Sequence, residues 1–221
     1  MVALIITTMN EVDGLKWLWP RLRTDLVSEV LVVDNHSTDG TLEFLSDKPC
    51  QVITQSVGGR GNGIRETMEY VRDDAVILMS SDGNDDPEYI PALISKLREG
   101  YDFVSGTRFA SGGSSDDSDD PLRVRRFGNK LFTALVNVLF AAHYTDTAFG
   151  FRIFKKEAWD MMSIDAKRNE TEYMMSIRAA KLKLKTVEIP MIEGRRVGGE
   201  VKAKTWSTGL SFLKLIFSEL I

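Results

Sequence analysis

The first residue whose position suggests chemistry is an aspartate that directly follows a buried strand. Residues 30–33 read VLVV, a run of β-forming apolar residues typical of a strand covered on both faces in a parallel sheet. Asp34 comes next, at the rim where open α/β sheets bind ligands, and its carboxylate can accept hydrogen bonds from a ribose or a base. A plain strand–turn–helix junction, capped by Ser37, Thr38 or Asp39, explains the same residues, and both interpretations stand.

A second acidic segment, residues 80–88 (SSDGNDDPE), follows the apolar run at 76–79 and should lie on the same rim. Asp82 and Asn84 offer oxygen ligands suited to Mg²⁺ or Mn²⁺, which keep other coordination positions for water and phosphate oxygens. The alternative is an acidic loop that caps the helix beginning at Pro87. We favour the metal for Asp82 and the cap for the two later aspartates of the segment.

A glycine-rich segment lies between the two acidic ones. Residues 58–63 read GGRGNG and lead into a helical pattern. Glycines let backbone amides approach a phosphate, and the N-terminus of the following helix adds a favourable dipole. The spacing matches neither the Walker A pattern nor a complete GxGxxG, so a flexible turn is a serious alternative.

Strand and helix patterns alternate through the first ~110 residues, which predicts right-handed βαβ units around a parallel sheet. The expected strands cover residues 2–7, 29–33, 51–54, 75–79 and 103–105, and the expected helices cover 11–26, 63–72 and 87–98, with another beginning at 41. Farther on we expect a helix over 123–142, a turn and strand over 143–156, mainly helix over 157–184, a strand over 185–189 and a helix over 210–221.

Composition restricts the class of protein. The 221 residues are 43% hydrophobic and 27% charged, as in a soluble globular domain. The net charge of −4 offers no general field for a polyanion, so we expect no nucleic-acid partner. The single cysteine, Cys50, excludes internal disulfides and cysteine-rich zinc sites and fits a reducing compartment. Because the sequence has neither a signal-peptide pattern nor a long apolar run, we expect a cytoplasmic location.

Two segments differ in composition from the rest. Residues 111–120 (SGGSSDDSDD) have no apolar side chain and predict a mobile loop, either an active-site lid or a solvated linker. A basic stretch, 123–130, follows at once.

The last residues, 210–221, are too apolar for an exposed monomer surface. They fit a core helix, a helix on a membrane surface, or the approach to a membrane segment outside this sequence.

Six short motifs in a fixed order make the chain similar to a known family. They are TTMNE at 7–11, VVDNHSTDGT at 32–41, GRGNG at 59–63, VSGTR at 104–108, TDTAFGFR at 145–152 and RVGGEVK at 196–202. With them the chain resembles the family 2 glycosyltransferases of the GT-A fold. Within that family it resembles the branch of dolichol-phosphate mannosyltransferases and polyprenyl-phosphate glycosyltransferases.

The resemblance implies an α/β protein with the GT-A nucleotide-sugar-binding fold, a Rossmann-like α/β/α sandwich around a mostly parallel sheet. It implies a catalytic domain over residues 1–205 and an apolar C-terminal helix over 206–221 that contacts a membrane. The implied reaction is inverting transfer of a hexose from a GDP- or UDP-hexose to a polyprenyl phosphate at the cytoplasmic face of a membrane.

The resemblance also implies roles for individual residues. Contacts with the nucleotide sugar are implied for Thr7, Asn10, Glu11, Asp34, Asp39, Gly61 and Asp82. Catalytic roles are implied for Asp82, Arg108, Asp146 and Arg152, of which the last two shape the pocket between sugar and acceptor. Phosphate contacts are implied for Arg125 or Arg126, Arg196 and Lys202. The metal, Mg²⁺ or Mn²⁺, is assigned to Asp82 and Asn84.

A phosphate acceptor asks little chemistry of the protein, because it is already an anionic nucleophile and needs no strong general base. The protein must align it and stabilise the leaving diphosphate, for which the fork of arginine is well suited. The two histidines fit no catalytic triad. A sugar hydroxyl as acceptor would instead require a base, either Asp146 or an acid within residues 82–86.

The chain departs from the family pattern at two places. Ser80 stands where the first acid of the metal-binding motif is usual, and a hydroxyl is a poorer cation ligand than a carboxylate. Asn35 replaces a second acid after Asp34. Two alternatives therefore stay open beside the implied reaction. One is transfer to a glycan or a small soluble acceptor, and the other is a nucleotide-sugar-binding protein with weakened catalysis.

Overall fold

A seven-stranded mixed sheet forms the centre of the computed structural model, which describes residues 1–116, 123–198 and 205–220. The strands are β1 (Val2–Thr8), β2 (Glu29–Asp34), β3 (Gln51–Thr54), β4 (Ala75–Ser80), β5 (Phe103–Thr107), β6 (Arg152–Lys155) and β7 (Thr186–Pro190). Their order is β3-β2-β1-β4-β6-β5-β7. Only β6 runs antiparallel to its neighbours, so the described sheet is mostly parallel, as predicted.

Eight α-helices of the described ranges cover the two faces of the sheet. They are α1 (Val12–Leu18), α2 (Thr41–Leu45), α3 (Arg60–Met68), α4 (Ile90–Arg98), α5 (Val124–Phe140), α6 (Lys156–Met162), α7 (Thr171–Lys181) and α8 (Thr205–Leu220). Alternate residues of each strand supply the two cores, because successive side chains point to opposite faces. In β1, Ala3 and Ile5 join the core beneath α3, α7 and α8, whereas Leu4 and Ile6 join the core beneath α1, α2 and α4.

The first predicted helix, 11–26, is shorter than expected. α1 ends at Leu18, and two 3₁₀ turns, Trp19–Arg21 and Thr24–Leu26, complete the segment. Pro20 lies inside the first turn. Proline has no N–H to donate, and its ring clashes with the preceding turn of an α-helix, so α1 stops before it.

The region 157–184, predicted as mainly helical, contains two helices separated by a loop. Ser163 ends α6 in a left-handed conformation with a φ of 49°. The chain then leaves the helix axis, and the loop 164–170 carries Arg168 and Asn169 to the carboxyl ends of the strands.

One face of α8 belongs to the core. Phe212 stacks on Tyr173 with ring centroids 4.4 Å apart and meets the edge of Phe132 at 5.4 Å. Glu219 accepts hydrogen bonds from Arg178 (2.7 Å) and from a neighbouring lysine (2.9 Å). The other face exposes Leu210, Leu213, Phe217 and Leu220. Within the described ranges, no helix has the length and apolar character needed to cross a bilayer. The domain boundary at 205/206 stays a prediction.

Candidate active site

The carboxyl ends of β1, β2 and β4 form one rim, on which lies an open cavity of about 680 Å³. β1 is the middle strand of the three, so its Thr7 pairs with Val33 on one side and with Ser80 on the other. Sequence motifs that are far apart in the chain therefore meet here. Many of the residues that line it are polar or charged, among them Thr7, Glu11, Asn35, Gln55, Arg60, Ser80, Asp82, Asn84, Arg125, Arg168 and Arg196.

Asp34 lies fully buried at the end of β2, beneath this cavity. Its Oδ2 accepts a hydrogen bond from the backbone N–H of Ser37 at 3.0 Å, which fixes the turn after the strand. Its Oδ1 accepts none from the described residues. A buried acceptor without a donor is costly, but Asp34 does not itself line the cavity, so its contact with a ligand stays a prediction. Val33 and Asn35, on either side of Asp34, line the cavity.

Asn10 and Asp39 hold the loops after β1 and β2 together. The backbone N–H of Asn10 donates to Ser37 Oγ at 2.8 Å, and its side-chain oxygen accepts from the N–H of Thr38 at 2.7 Å. Asp39 accepts from the N–H groups of Val12 (3.0 Å) and of the first residue of α2 (3.1 Å), so it caps both α1 and α2. Burial would raise the pKa of Asp39, but these bonds lower it below its usual value.

The carboxylate of Asp82 is hydrogen-bonded inside a network of charged side chains. Its Oδ1 accepts from the backbone N–H of Asn84 at 3.1 Å, which closes the turn at Gly83, where φ is +87°. Its Oδ2 accepts from Arg196 Nη2 at 2.7 Å, and Nη1 of the same arginine donates to Glu11 Oε1 at 2.8 Å. The guanidinium of Arg196 thus bridges Glu11 and Asp82, which are 71 residues apart in the sequence.

The oxygens of Asp82 and Asn84 fit a divalent cation. Asn84 Oδ1 is buried and accepts no hydrogen bond in the described part of the chain. Asp82 offers a second oxygen, which here accepts from Arg196, and phosphate oxygens and water could fill the other positions of Mg²⁺ or Mn²⁺. Within residues 1–116, 123–198 and 205–220, no three His, Cys, Asp or Glu side chains form a cluster that could hold a metal.

Arg60, which sequence reasoning missed as a site residue, reaches the cavity from the start of α3. Its Nε donates to Glu172 Oε1 at 2.6 Å, and its Nη1 donates to Thr7 Oγ1. The sequence signal was present, because this arginine interrupts the glycine-rich segment. No pattern in the sequence marked its partner on α7, Glu172, as a site residue.

Arg108 forms the most buried ion pair near the rim. Its Nε and Nη2 donate to the two carboxylate oxygens of Asp146 at 2.7 and 3.1 Å, and its Nη1 donates to Glu193 at 3.3 Å. Burial opposes the charge, but the two acids raise the pKa of Arg108 above its usual value. Asp146 is fully buried and engaged by both oxygens, so it is poorly suited to take a proton from an acceptor.

Arg152 lies completely buried beneath the rim. It donates to the backbone carbonyls of Phe149 and, at 2.9 Å, of Glu172. Burial lowers its pKa to about 10, so it stays charged at neutral pH. It supports the turn before β6 and the start of α7.

A basic cluster surrounds Phe109, with two of its cations on α5 and the third just after β5. The cations of Arg108, Arg126 and Lys130 lie 5.2, 5.7 and 5.2 Å from the ring centroid of Phe109. Arg125 lines the cavity itself. These distances are in the range of cation–π attraction, so the aromatic ring holds like charges close together.

Gly61, a residue with an implied binding role, lies where the fold leaves no room for a side chain. A side chain at Gly61 would lie 2.3 Å from the carbonyl oxygen of Ala166 and 2.4 Å from Thr171 Oγ1. Glycine here lets α3 approach the loop before α7, and Gly61 does not line the cavity. Lys202 lies outside the described residues.

Residues 3–161 match the model of the glycosyl transferase family 2. The chain belongs to this family. The resemblance and the GT-A fold expected from the motifs are thereby confirmed, and the fold has close counterparts among solved structures. Glucosyl-3-phosphoglycerate synthase from Mycobacterium tuberculosis, crystallised with Mn²⁺, UDP and phosphoglyceric acid, gives a TM-score of 0.79 at 15% identity, covering 100% of this chain and 78% of that one.

Two curated relatives are similar over most of this family 2 chain. Glycosyltransferase AglJ of Haloferax volcanii is 28% identical over 190 residues, which cover 86% of this chain and 61% of AglJ. A dolichyl-phosphate hexose transferase of the same organism is 28% identical over 218 residues, covering 97% and 92%. The chain therefore spans less than two thirds of AglJ but nearly all of the second relative.

The fold brings most of the implied site residues of this glycosyltransferase to one rim. Thr7, Glu11, Asp82, Asn84, Arg125 and Arg196 line the cavity. Asp34, Asp39, Asn10, Arg108, Asp146 and Arg152 surround it or hold its walls. Direct contacts with a substrate stay predictions for all of them.

Proposed function

We propose that this family 2 glycosyltransferase transfers a hexose from a UDP- or GDP-hexose to a polyprenyl phosphate. The observation that carries the proposal is the cluster of Arg108, Arg126 and Lys130 around Phe109, beside the cavity. On α5, the helix that carries Arg126 and Lys130, Phe127 is 70% exposed. Cations next to exposed apolar side chains suit an acceptor that carries both a phosphate and a hydrocarbon chain. The dolichyl-phosphate hexose transferase among the relatives supports this acceptor.

In this proposal, an oxygen of the acceptor phosphate attacks the anomeric carbon while the bond from that carbon to the diphosphate breaks. The acceptor oxygen carries its own electron pair and charge, so no side chain has to remove a proton. Arg108 or the α5 cations hold the acceptor, and Arg196 exchanges its acids for phosphate oxygens. Asp82 and Asn84 would hold Mg²⁺ or Mn²⁺, which would supply positive charge to offset that of the departing diphosphate.

The proposed location is the cytoplasmic face of a membrane. α5 exposes Phe127, Leu131 and Val138, and α8, packed against α5, exposes Leu210 and Phe217. Apolar side chains flanked by basic ones favour contact with an anionic lipid surface. Sedimentation with vesicles rich in anionic lipid should therefore pellet the chain, and replacing Phe127 and Phe217 by Ser should reduce the pelleted fraction.

The testing experiment supplies labelled UDP- and GDP-hexoses, Mg²⁺ or Mn²⁺, and a polyprenyl phosphate in detergent. We expect label to enter the lipid fraction with one donor, and not when the polyprenol lacks its phosphate. A double Arg126→Gln, Lys130→Gln variant should raise KM for the lipid, whereas Arg72→Gln, at the other end of the sheet, should not. Label transferred only to a soluble acceptor would favour the soluble-acceptor alternative. Donor binding without transfer or hydrolysis would favour the binding protein.

A further inference from the structure

Arg60 is a charged residue that lines the cavity but has no role in the proposed reaction. It begins α3, and its guanidinium lies at the end of β1, where Thr7 accepts a hydrogen bond from Nη1. Thr7 pairs with Ser80 across the sheet, so the guanidinium lies over the rim between the glycine-rich segment and the acidic segment. The carboxylates of Asp85 and Asp82 lie near enough to favour the charged form of Arg60.

Glu172 fixes the position of this guanidinium. The Nε–Oε1 distance is 2.6 Å, and the side chains of Arg60 and Glu172 are only 20% and 6% exposed. The backbone of Glu172 is held in turn, because its carbonyl accepts a hydrogen bond from the buried Arg152. Desolvation largely cancels the gain from a buried ion pair, so such a pair is a weak source of stability and a good means of holding one geometry.

The remaining side of the guanidinium faces the cavity. Nε and Nη1 are used by Glu172 and Thr7, whereas Nη2 donates to no atom of the described residues. Nη2 is also absent from the buried nitrogen and oxygen atoms that lack a partner in the described ranges, and Arg60 lines the cavity. Its two N–H bonds are therefore open to a ligand.

Ser80, which lies opposite Thr7, also favours an anionic ligand for Arg60. An aspartate at that position would stand beside Thr7 on the neighbouring strand and would offer Arg60 an internal partner. The hydroxyl of Ser80 leaves the charge of Arg60 less compensated on this side. A charged N–H donor forms its strongest hydrogen bonds with anionic oxygens, and the fork of arginine matches a phosphate better than a sugar hydroxyl.

We propose that Arg60 binds a phosphate oxygen of the donor nucleoside diphosphate and that Glu172 is the positioning residue that holds Arg60 for this contact. The proposal rests on the proposed function, since it presumes a nucleotide-sugar donor. It adds a phosphate-binding residue in the glycine-rich segment, with partners different from those of Arg196.

The test measures binding of uridine, UMP and UDP, and of guanosine, GMP and GDP, by ligand-observed NMR and calorimetry in excess Mg²⁺. Arg60→Lys keeps the charge and the pair with Glu172 but removes the second amino group. A double Arg60→Gln, Glu172→Gln variant removes both charges and leaves no unpaired buried ion. Arg72→Gln is the matched control, and thermal unfolding confirms that each variant folds.

We expect the double variant to bind the preferred diphosphate about tenfold or more weakly, as for loss of a charged hydrogen bond, while nucleoside binding changes less than about twofold. Arg60→Lys should show the same pattern more weakly, and Arg72→Gln none. Unchanged diphosphate binding would overturn the proposal, as would equal losses for nucleoside and diphosphate, which indicate a structural role alone. If the unaltered chain binds neither UDP nor GDP, the proposed function itself fails.

Discussion

The two sides of the cavity rim are held together by different forces. On the Asp34 side, residues 34–41 and Asn10 are joined by short bonds to backbone N–H groups. On the arginine side, Arg60, Arg108 and Arg196 are each paired with buried acids. The first arrangement uses internal partners that a ligand does not have to displace, so we expect its geometry to stay the same when a ligand binds. In the second, buried acids already hold the cations, so in our proposal Arg196 binds phosphate by exchanging partners, whereas Arg60 binds it through Nη2 and keeps its pair with Glu172.

The largest effect that would sharpen this comparison is expected at Asp146. Asp146→Ala leaves Arg108 buried with less of its compensation, and we expect a loss of about 3–5 kcal/mol in the free energy of unfolding. Urea denaturation measures it. Asp13→Ala is the control, because the pair of Asp13 with Lys16 is exposed and should change stability by less than about 1 kcal/mol. Similar losses at both positions would contradict the contrast.

The next effect is a pH dependence that comes from Asp85. Burial, and then the carboxylate of Asp82, raise the pKa of Asp85 to about 7. Because this value lies above the usual one, the folded protein holds the proton more strongly than the unfolded chain. The resulting stability is fully present below about pH 4 and is lost as the pH rises through 7.

Asp85→Asn should therefore remove a fall of roughly 4 kcal/mol in the free energy of unfolding between about pH 4 and 8. Denaturant titrations across this range compare the variant with the unaltered chain, and Asp160→Asn, on the surface, serves as control. Curves for Asp85→Asn and the unaltered chain that stay parallel throughout would show that Asp85 does not titrate there.

A smaller effect is expected for metal binding at Arg196. The guanidinium and a divalent cation compete for Asp82, so Arg196→Ala should raise the affinity of the donor-free chain for Mn²⁺ about tenfold, or ~1.4 kcal/mol. Electron paramagnetic resonance of free Mn²⁺ measures this, with Arg195→Ala, an exposed neighbour, as control. Weaker Mn²⁺ binding in Arg196→Ala would break the idea of exchange on the arginine side.

The smallest effect belongs to the Asp34 side. Asp39→Ala removes the cap of both α1 and α2, and we expect a loss of about 1 kcal/mol in the free energy of unfolding, with little pH dependence above pH ~5. Thermal and urea denaturation check it. Asp39→Asn keeps a cap and should recover most of the loss. A loss as large as that of Asp146→Ala would erase the difference between the two sides.

The fold was largely predictable because its signals are local. Apolar runs such as 30–33 and 76–79 predict buried strands wherever they occur, and alternation with helices predicts a parallel sheet. The exceptions have tertiary or steric causes. Pro20 ends α1 early, and β6 pairs antiparallel with two strands although its own residues carry no sign of direction.

The candidate site was predictable only as a set of separate segments. Strand ends determine that Asp34 and Asp82 share a rim, and this follows from the sequence through the parallel sheet. No local pattern relates Arg60 to Glu172, which lie 112 positions apart, or Arg196 to Glu11, which lie 185 apart. The partner of a long charged side chain depends on which elements pack against it and on how much water they exclude.

The sequence by itself determined the family, the order of strands and helices along the chain, and which motifs stand at strand ends. Only the tertiary structure decided that the cations of the site are already paired with buried acids, and that Asp146 is engaged by Arg108 rather than open to an acceptor. The physical reason is range. Hydrophobic period and turn chemistry act over a few residues, whereas ion pairs form wherever the folded chain brings opposite charges together out of water.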